Sequence, residues 1–223
     1  MNDVEFWSTG AGVTAQGTGH LQGVVQYFVR LSGCAHKVCP IRSDCDEAYS
    51  FNQQAGSITS VFKTVDAALE QVGVGGWLHI TGGAPTESPG FEPLVREAVA
   101  SGLRVHIQTG GMSAVEVPFD WLTVSPKVPL RKLKQTYGHE LVVVYQGQSD
   151  DTLLELSGST GFWYFYLSPL WVGGHGGEAS NAGETAKAVL RLNMRGGSSE
   201  LGRQHNGRQW LAAIQAHKYW GVR

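Results

Sequence analysis

Short apolar or β-branched runs that stop at glycine recur along this chain, and several are followed by stretches whose apolar residues return every three or four positions. Residues 24–31 (VVQYFVRL) lie between Gly23 and Ser32-Gly33. Residues 76–80 run into Thr81-Gly82-Gly83-Ala84-Pro85, and residues 103–109 end at Gly110-Gly111. Further runs cover residues 121–125, 141–145 and 162–167, all read as strands. Helical spacing marks residues 57–72, 91–101, 182–194 and 209–216. Residues 4–7 read as a brief strand leading into a flexible Gly- and Thr-rich loop, and residues 171–180 read as a glycine loop. About six strands alternating with helices predict an α/β fold, a partial (β/α) barrel short of the closed eight, with a doubly wound sheet as the alternative. In either fold ligands gather where parallel strands end, and several runs here end in glycines that leave backbone bare.

A length of 223 residues suits a single domain over residues 1–223. The net charge of -2 supplies no basic footprint for nucleic acid or an anionic membrane. No apolar run is long enough to span a bilayer, and the first ten residues carry acids where a signal peptide needs a basic, then apolar, start. The expected location is therefore cytoplasmic, where thiols stay reduced.

Every cysteine falls in one loop, predicted over residues 32–51 at the carboxyl end of the 24–31 strand: Cys34, Cys39 and Cys45. Three thiolates cannot all pair as disulfides but can all bind soft metal. A cubane iron-sulfur cluster held by three of them keeps one iron for a non-protein ligand. Two other readings stand beside it. One is a closed zinc site completed by His36 or His20, although the C-x4-C-x5-C spacing lacks a C-x2-C knuckle. The other is inert buried cysteine.

Taken in order, these segments resemble the radical S-adenosylmethionine (SAM) enzymes, and within them the 7-carboxy-7-deazaguanine synthases. Gln16-Gly17-Thr18-Gly19 is similar to the family's Q-G-x-G, residues 28–34 to F-V-R-L-S-G-C, and Cys45-Asp46-x-x-Tyr49-Ser50-Phe51 to C-D-T-x-Y-S-W. Thr81-Gly82-Gly83-x-Pro85 resembles the SAM-binding G-G-E-P, and Gln108-Thr109-Gly110-Gly111 resembles E-T-N-G. Residues 120–127 look like D-W-x-T-V-S-P-K, and Gln215-x-His217-Lys218-x-x-Gly221 closes the pattern.

The resemblance implies a [4Fe-4S] cluster on Cys34, Cys39 and Cys45, with SAM chelating the open iron and yielding a 5'-deoxyadenosyl radical. The radical takes hydrogen from C6 of 6-carboxy-5,6,7,8-tetrahydropterin; the ring contracts, ammonia leaves and 7-carboxy-7-deazaguanine forms, a lyase reaction of queuosine-type 7-deazapurine biosynthesis. It further implies Gly82 and Gly83 against the methionine moiety of SAM and Gln108, Ser125 and Lys127 on the rest of it. Gln16, Thr18, Arg30, His217 and the carboxylate of Arg223 would face the pterin. Glu47 stands at a Mg²⁺-binding position, and the resemblance also implies a homodimer and an electron donor such as a flavodoxin. Four departures from the pattern are the wider cysteine spacing, Thr18 and Ala84 where the family carries glutamates, and Glu47 where it carries threonine. A glycyl-radical activating enzyme is the enzymatic alternative, and a zinc- or cluster-binding module without catalysis is the alternative from another class.

Taken singly, several of these residues have plainer roles. Arg30 would make a structural ion pair, His217 would be a surface histidine, Gly82-Gly83 an ordinary turn and Asp46 a turn cap. The aromatics of residues 162–166 read as core and interface, and His175 to Glu178 as flexible loop.

Overall fold

The computed structural model describes residues 3–34, 39, 42–45, 51–172, 178–179, 181–196 and 209–216. Nine strands form one sheet: β1 (Glu5–Ala15), β2 (Val25–Leu31), β3 (Ser57–Ser60), β4 (Trp77–Gly82), β5 (Arg104–Thr109), β6 (Trp121–Val124), β7 (Tyr137–Tyr145), β8 (Gly161–Pro169) and β11 (Trp210–Ala212). A separate two-stranded ribbon pairs β9 (Trp171–Val172) with β10 (Glu178–Ala179). The order in the main sheet is β11-β8-β7-β6-β5-β4-β2-β1-β3. From β2 to β11 every pairing is parallel, while β1 runs antiparallel to both β2 and β3.

The count of about six strands is thus too low, and the reasons are local. Residues 4–23 are not a short strand and loop: β1 continues to Ala15, with Gly10 and Gly12 extended and paired to Arg30 and Phe28 across the ladder. The predicted helix over 57–72 starts late, because residues 57–60 pair with β1 as β3 before Ser60 caps α1 (Val61–Val72) through the N–H of Lys63. The predicted helix over 209–216 is instead the three-residue β11, whose Trp210 packs onto Phe165 of β8. Residues 171–180 hold the β9–β10 pair, while 173–177, including His175, lie outside the described residues.

Three more helices complete the layer: α2 (Phe91–Ala100), α3 (Asp150–Gly158) and α4 (Ala182–Gly196). The sequence reading omitted α3, although Ser149 caps it by accepting from the N–H of Thr152 and two aspartates follow in the first turn. Alternation along the strands decides which face each residue meets. Val29, Leu31, Leu78, Ile80, Val105, Ile107, Leu122, Val124 and Leu141 are buried against Val65 and Ala68 of α1, Leu94 and Val95 of α2, Leu153 and Leu154 of α3, and Ala188 and Leu192 of α4 in one continuous core. The four helices among the described residues therefore cover the same face, which the doubly wound alternative would not produce. The other face carries Gln26, Arg30, His79, Thr81, His106, Gln108, Thr123, Glu140 and Ser168. Among the described residues no helix is long and apolar enough to cross a membrane.

Candidate active site

A cavity of about 230 Å³ opens on the face of the sheet opposite α1 to α4. Every predicted site residue that is described lines it. Cys34 comes from the end of β2, and Cys39 and Cys45 from the loop beyond. That loop is closed at its base by Ser32, whose hydroxyl donates to the Ala55 carbonyl (2.6 Å) and whose N–H donates to Trp7 (3.0 Å). All three thiols are half-buried and none is in a disulfide. Arg42, in a 3-10 turn between the second and third cysteines, sits over the Phe51 ring at 3.8 Å.

Gly82 and Gly83 end β4 on the same cavity. Gly82 has a φ of +125°, and a Cβ there would collide with the Leu31 carbonyl, so glycine serves strand packing as well as access to the cavity. Ala84 is buried, and its N–H donates to Gly33 (2.9 Å), tying this turn to the start of the cysteine loop. From β5 and β6 come Gln108 and Ser125; Lys127 donates to the Ser125 carbonyl (3.1 Å) and to its hydroxyl. Arg30 projects from β2 with its guanidinium over Phe28.

Gln16 and Thr18 lie in the turn between β1 and β2 and line the cavity's remaining wall. Gln16 is 3% exposed, and its side-chain Nε2 and the Thr18 hydroxyl oxygen are buried without a hydrogen-bond partner. Gln215 presents a third such atom, Oε1, to the same space. Orphaned buried polar atoms are costly unless a ligand meets them, so these three and the equally orphaned Thr14 hydroxyl define a polar recognition surface. Glu47, His217 and Arg223, with Asp46 and His36, lie outside the described residues.

Sequence reading missed a buried polar chain beneath the cavity. The Gln26 side-chain amide is 3.0 Å from His106 Nδ1, His106 Nε2 is 2.8 Å from the Thr123 hydroxyl, and that hydroxyl donates to Glu140 (2.6 Å). The atom facing Nδ1 is the Gln26 side-chain oxygen, an acceptor, so a neutral His106 carries its proton on Nδ1 and donates it to Gln26, leaving an unprotonated Nε2 against the Thr123 hydroxyl. Burial, with the nearby His139 charge, pushes the His106 imidazole down to about 3, so it is neutral. His79 stacks on His106 at 3.8 Å; burial, then the charges of His106 and Arg30, hold it well below the usual histidine range. Burial raises the Glu140 carboxyl, against the lowering pull of its two hydrogen bonds. The available signal was parity: His79 and His106 interrupt apolar strands at alternating positions that point away from the helices.

Among the described residues no three His, Cys, Asp or Glu side chains converge as a single metal ion requires. His20, one of the ligands offered to zinc, stacks instead on Tyr164 (4.4 Å) and Trp121 (5.2 Å).

No family model matches the chain. Among curated proteins it is similar to a 7-carboxy-7-deazaguanine synthase from Synechocystis sp., 29% identical over 216 residues that cover 93% of this chain and 89% of the relative. A synthase of the same name from Haemophilus influenzae is 26% identical, over 93% of this chain and 89% of the relative. One from Flavobacterium psychrophilum is 30% identical over a shorter stretch, 61% of this chain and 62% of the relative. The fold is similar to the crystal structure of QueE from Escherichia coli, with a TM-score of 0.67, 19% identity and coverage of 96% of this chain and 95% of that one. By these relatives, matched along nearly its whole length, the chain is similar to the 7-carboxy-7-deazaguanine synthases.

Proposed function

We propose that this chain converts 6-carboxy-5,6,7,8-tetrahydropterin to 7-carboxy-7-deazaguanine with loss of ammonia, as a radical SAM lyase of queuosine-type biosynthesis. The observation that carries it is the meeting, in one cavity, of three reduced cysteines, the bare glycine turn of β4, the ends of β5 and β6, and a wall of unpartnered polar atoms. When bound, a [4Fe-4S] cluster and SAM supply one electron and the radical that abstracts hydrogen from substrate.

The chain's own residues hold, orient and shield. Cys34, Cys39 and Cys45 are the cluster ligands; three thiols lining one cavity without closing on a single point suit a multi-iron group better than one zinc ion. Gly82 and Gly83 admit the methionine end of SAM to the backbone. Gln108, Ser125 and Lys127 take the remainder. Arg30 offers a planar fork to the substrate carboxylate, and Gln16 and Thr18 meet the polar edge of the pterin ring. The buried core on one side and the turn over residues 16–24 on the other exclude water from the reacting atoms.

The proposal extends, on the resemblance, to His217 and Arg223 as pterin contacts, Glu47 as a Mg²⁺ ligand, a homodimer, a flavodoxin-type donor and a cytoplasmic location. It also takes residues 1–223 as one domain whose curved sheet is the partial (β/α) barrel of radical SAM enzymes. The test is anaerobic reconstitution with iron and sulfide, followed by SAM, dithionite and 6-carboxytetrahydropterin, with products followed by mass spectrometry. Accumulation of 7-carboxy-7-deazaguanine is the expected result. Release of 5'-deoxyadenosine alone would overturn the substrate assignment, and the absence of both products would overturn the enzyme.

A further inference from the structure

The turn over residues 16–24 belongs to the hairpin of β1 and β2, closed by Gln16 N–H to the Val24 carbonyl (2.9 Å) and Gly23 N–H to the Gln16 carbonyl (2.8 Å). That hairpin lies on one side of the sheet, yet its turn is fastened to strands far along it. The His20 N–H donates to Glu140 of β7 at 2.7 Å. The His20 ring stacks on Tyr164 of β8 and Trp121 of β6. The Ala216 N–H, from the segment after β11, donates to the Gly17 carbonyl at 2.7 Å. At Gly19, with a φ of +77°, an added Cβ would overlap the Glu140 carboxylate, so the close approach depends on glycine there. The carboxylate is itself held by the Thr123, His106 and Gln26 chain, and Glu140 is fully buried.

The geometry points to Glu140 as a positioning residue for substrate recognition. By gripping the His20 N–H it holds the turn against β7, and so fixes Gln16 and Thr18, whose unpartnered side-chain atoms face the cavity. It touches neither cluster nor SAM residues, so its effect falls on the pterin side of the site. This assignment rests on the proposed substrate, but the grip on the turn does not.

Glu140→Gln and Gly19→Ala, made in the full chain, separate the two. The Gln variant keeps an acceptor but loses the charge, and the Ala variant pushes the turn away while leaving the carboxylate in place. Hydrogen exchange by mass spectrometry is expected to show amides of residues 16–24 exchanging about tenfold faster or more in both variants, with β4 and β5 unchanged. That is the size of one charge-assisted hydrogen bond. In the reconstituted enzyme the KM for the pterin should rise about tenfold while kcat moves less than threefold, and SAM affinity should move less than the pterin KM. Unchanged exchange in the turn overturns the assignment. So does a fall in kcat at constant KM, which would make Glu140 part of the chemistry, and so does faster exchange throughout, which would make it a general stabiliser. If the unaltered chain turns over no pterin, the substrate reading falls, and the exchange comparison alone decides the grip.

Discussion

The two faces of the parallel sheet are built from the same strands and differ only in parity. Val105 and Ile107 of β5 are fully buried among helices, and the residues between and after them, His106 and Gln108, face the cavity side. On the helical face the strand side chains are apolar and packed against the helices. On the other, some hydrogen-bond atoms are linked in a chain below the cavity and others are left open on its wall. The contrast teaches that stability and recognition are separable here at single-residue steps along one strand.

The strongest way to break that separation is at Cys39. Cys39→Ala should abolish the broad visible absorbance of the reconstituted cluster while leaving the thermal unfolding midpoint of the unreconstituted protein within a few degrees, because a half-buried thiol contributes little packing. An unchanged spectrum removes Cys39 as a ligand, and a collapsed midpoint removes the separation.

The reverse experiment is Ile80→Ala on the helical face. A fully buried side chain in a close-packed core should cost about 2–5 kcal/mol in denaturant unfolding, with SAM affinity retained below the transition. Loss of SAM binding in the still-folded variant would show that the faces are coupled.

The smallest effect sharpens the comparison through pH. His106 is neutral when folded, its pKa of about 3 lying below the usual histidine value, so the unfolded chain binds more protons between the two. Its share of stability is therefore complete above about pH 6.5 and is lost as pH falls toward about 3, with a slope of at most about 1.4 kcal/mol per pH unit. The raised Glu140 carboxyl acts in the opposite sense, its share declining as pH rises through its folded value. His106→Asn should flatten the acid limb of the stability curve. A limb of unchanged steepness would mean that other groups carry it.

Much of this was legible in the sequence. The glycine-terminated runs located the central parallel strands, α1, α2 and α4 followed from spacing, and the cysteine loop was rightly set at the end of β2. What failed had a physical cause in each case. Gly10 and Gly12 made β1 look like a loop, though both are extended and a side chain would meet open space at either. The pairing that makes them a strand is with residues 28 and 30, outside any local window. Gly138 shortened β7 in the same way; it is extended beneath the Phe162 ring. Trp210, Ala213 and Ile214 have helical spacing, but parallel pairing with β8 prevails over three residues. Glu140 had no local signal at all, since only the fold brings it to Gly19.

The fastening of Gly17 to Ala216 joins positions separated by nearly the whole chain. A ribosome delivers Gly17 well before Ala216, so the recognition wall cannot close until the later residue has emerged. Until then the turn over residues 16–24 lacks one of its anchors, and the ordering of that loop must await the last crossover, the slow, non-local kind of contact. The pocket is thus a late event in the life of the polypeptide, finished only after the sheet that carries it.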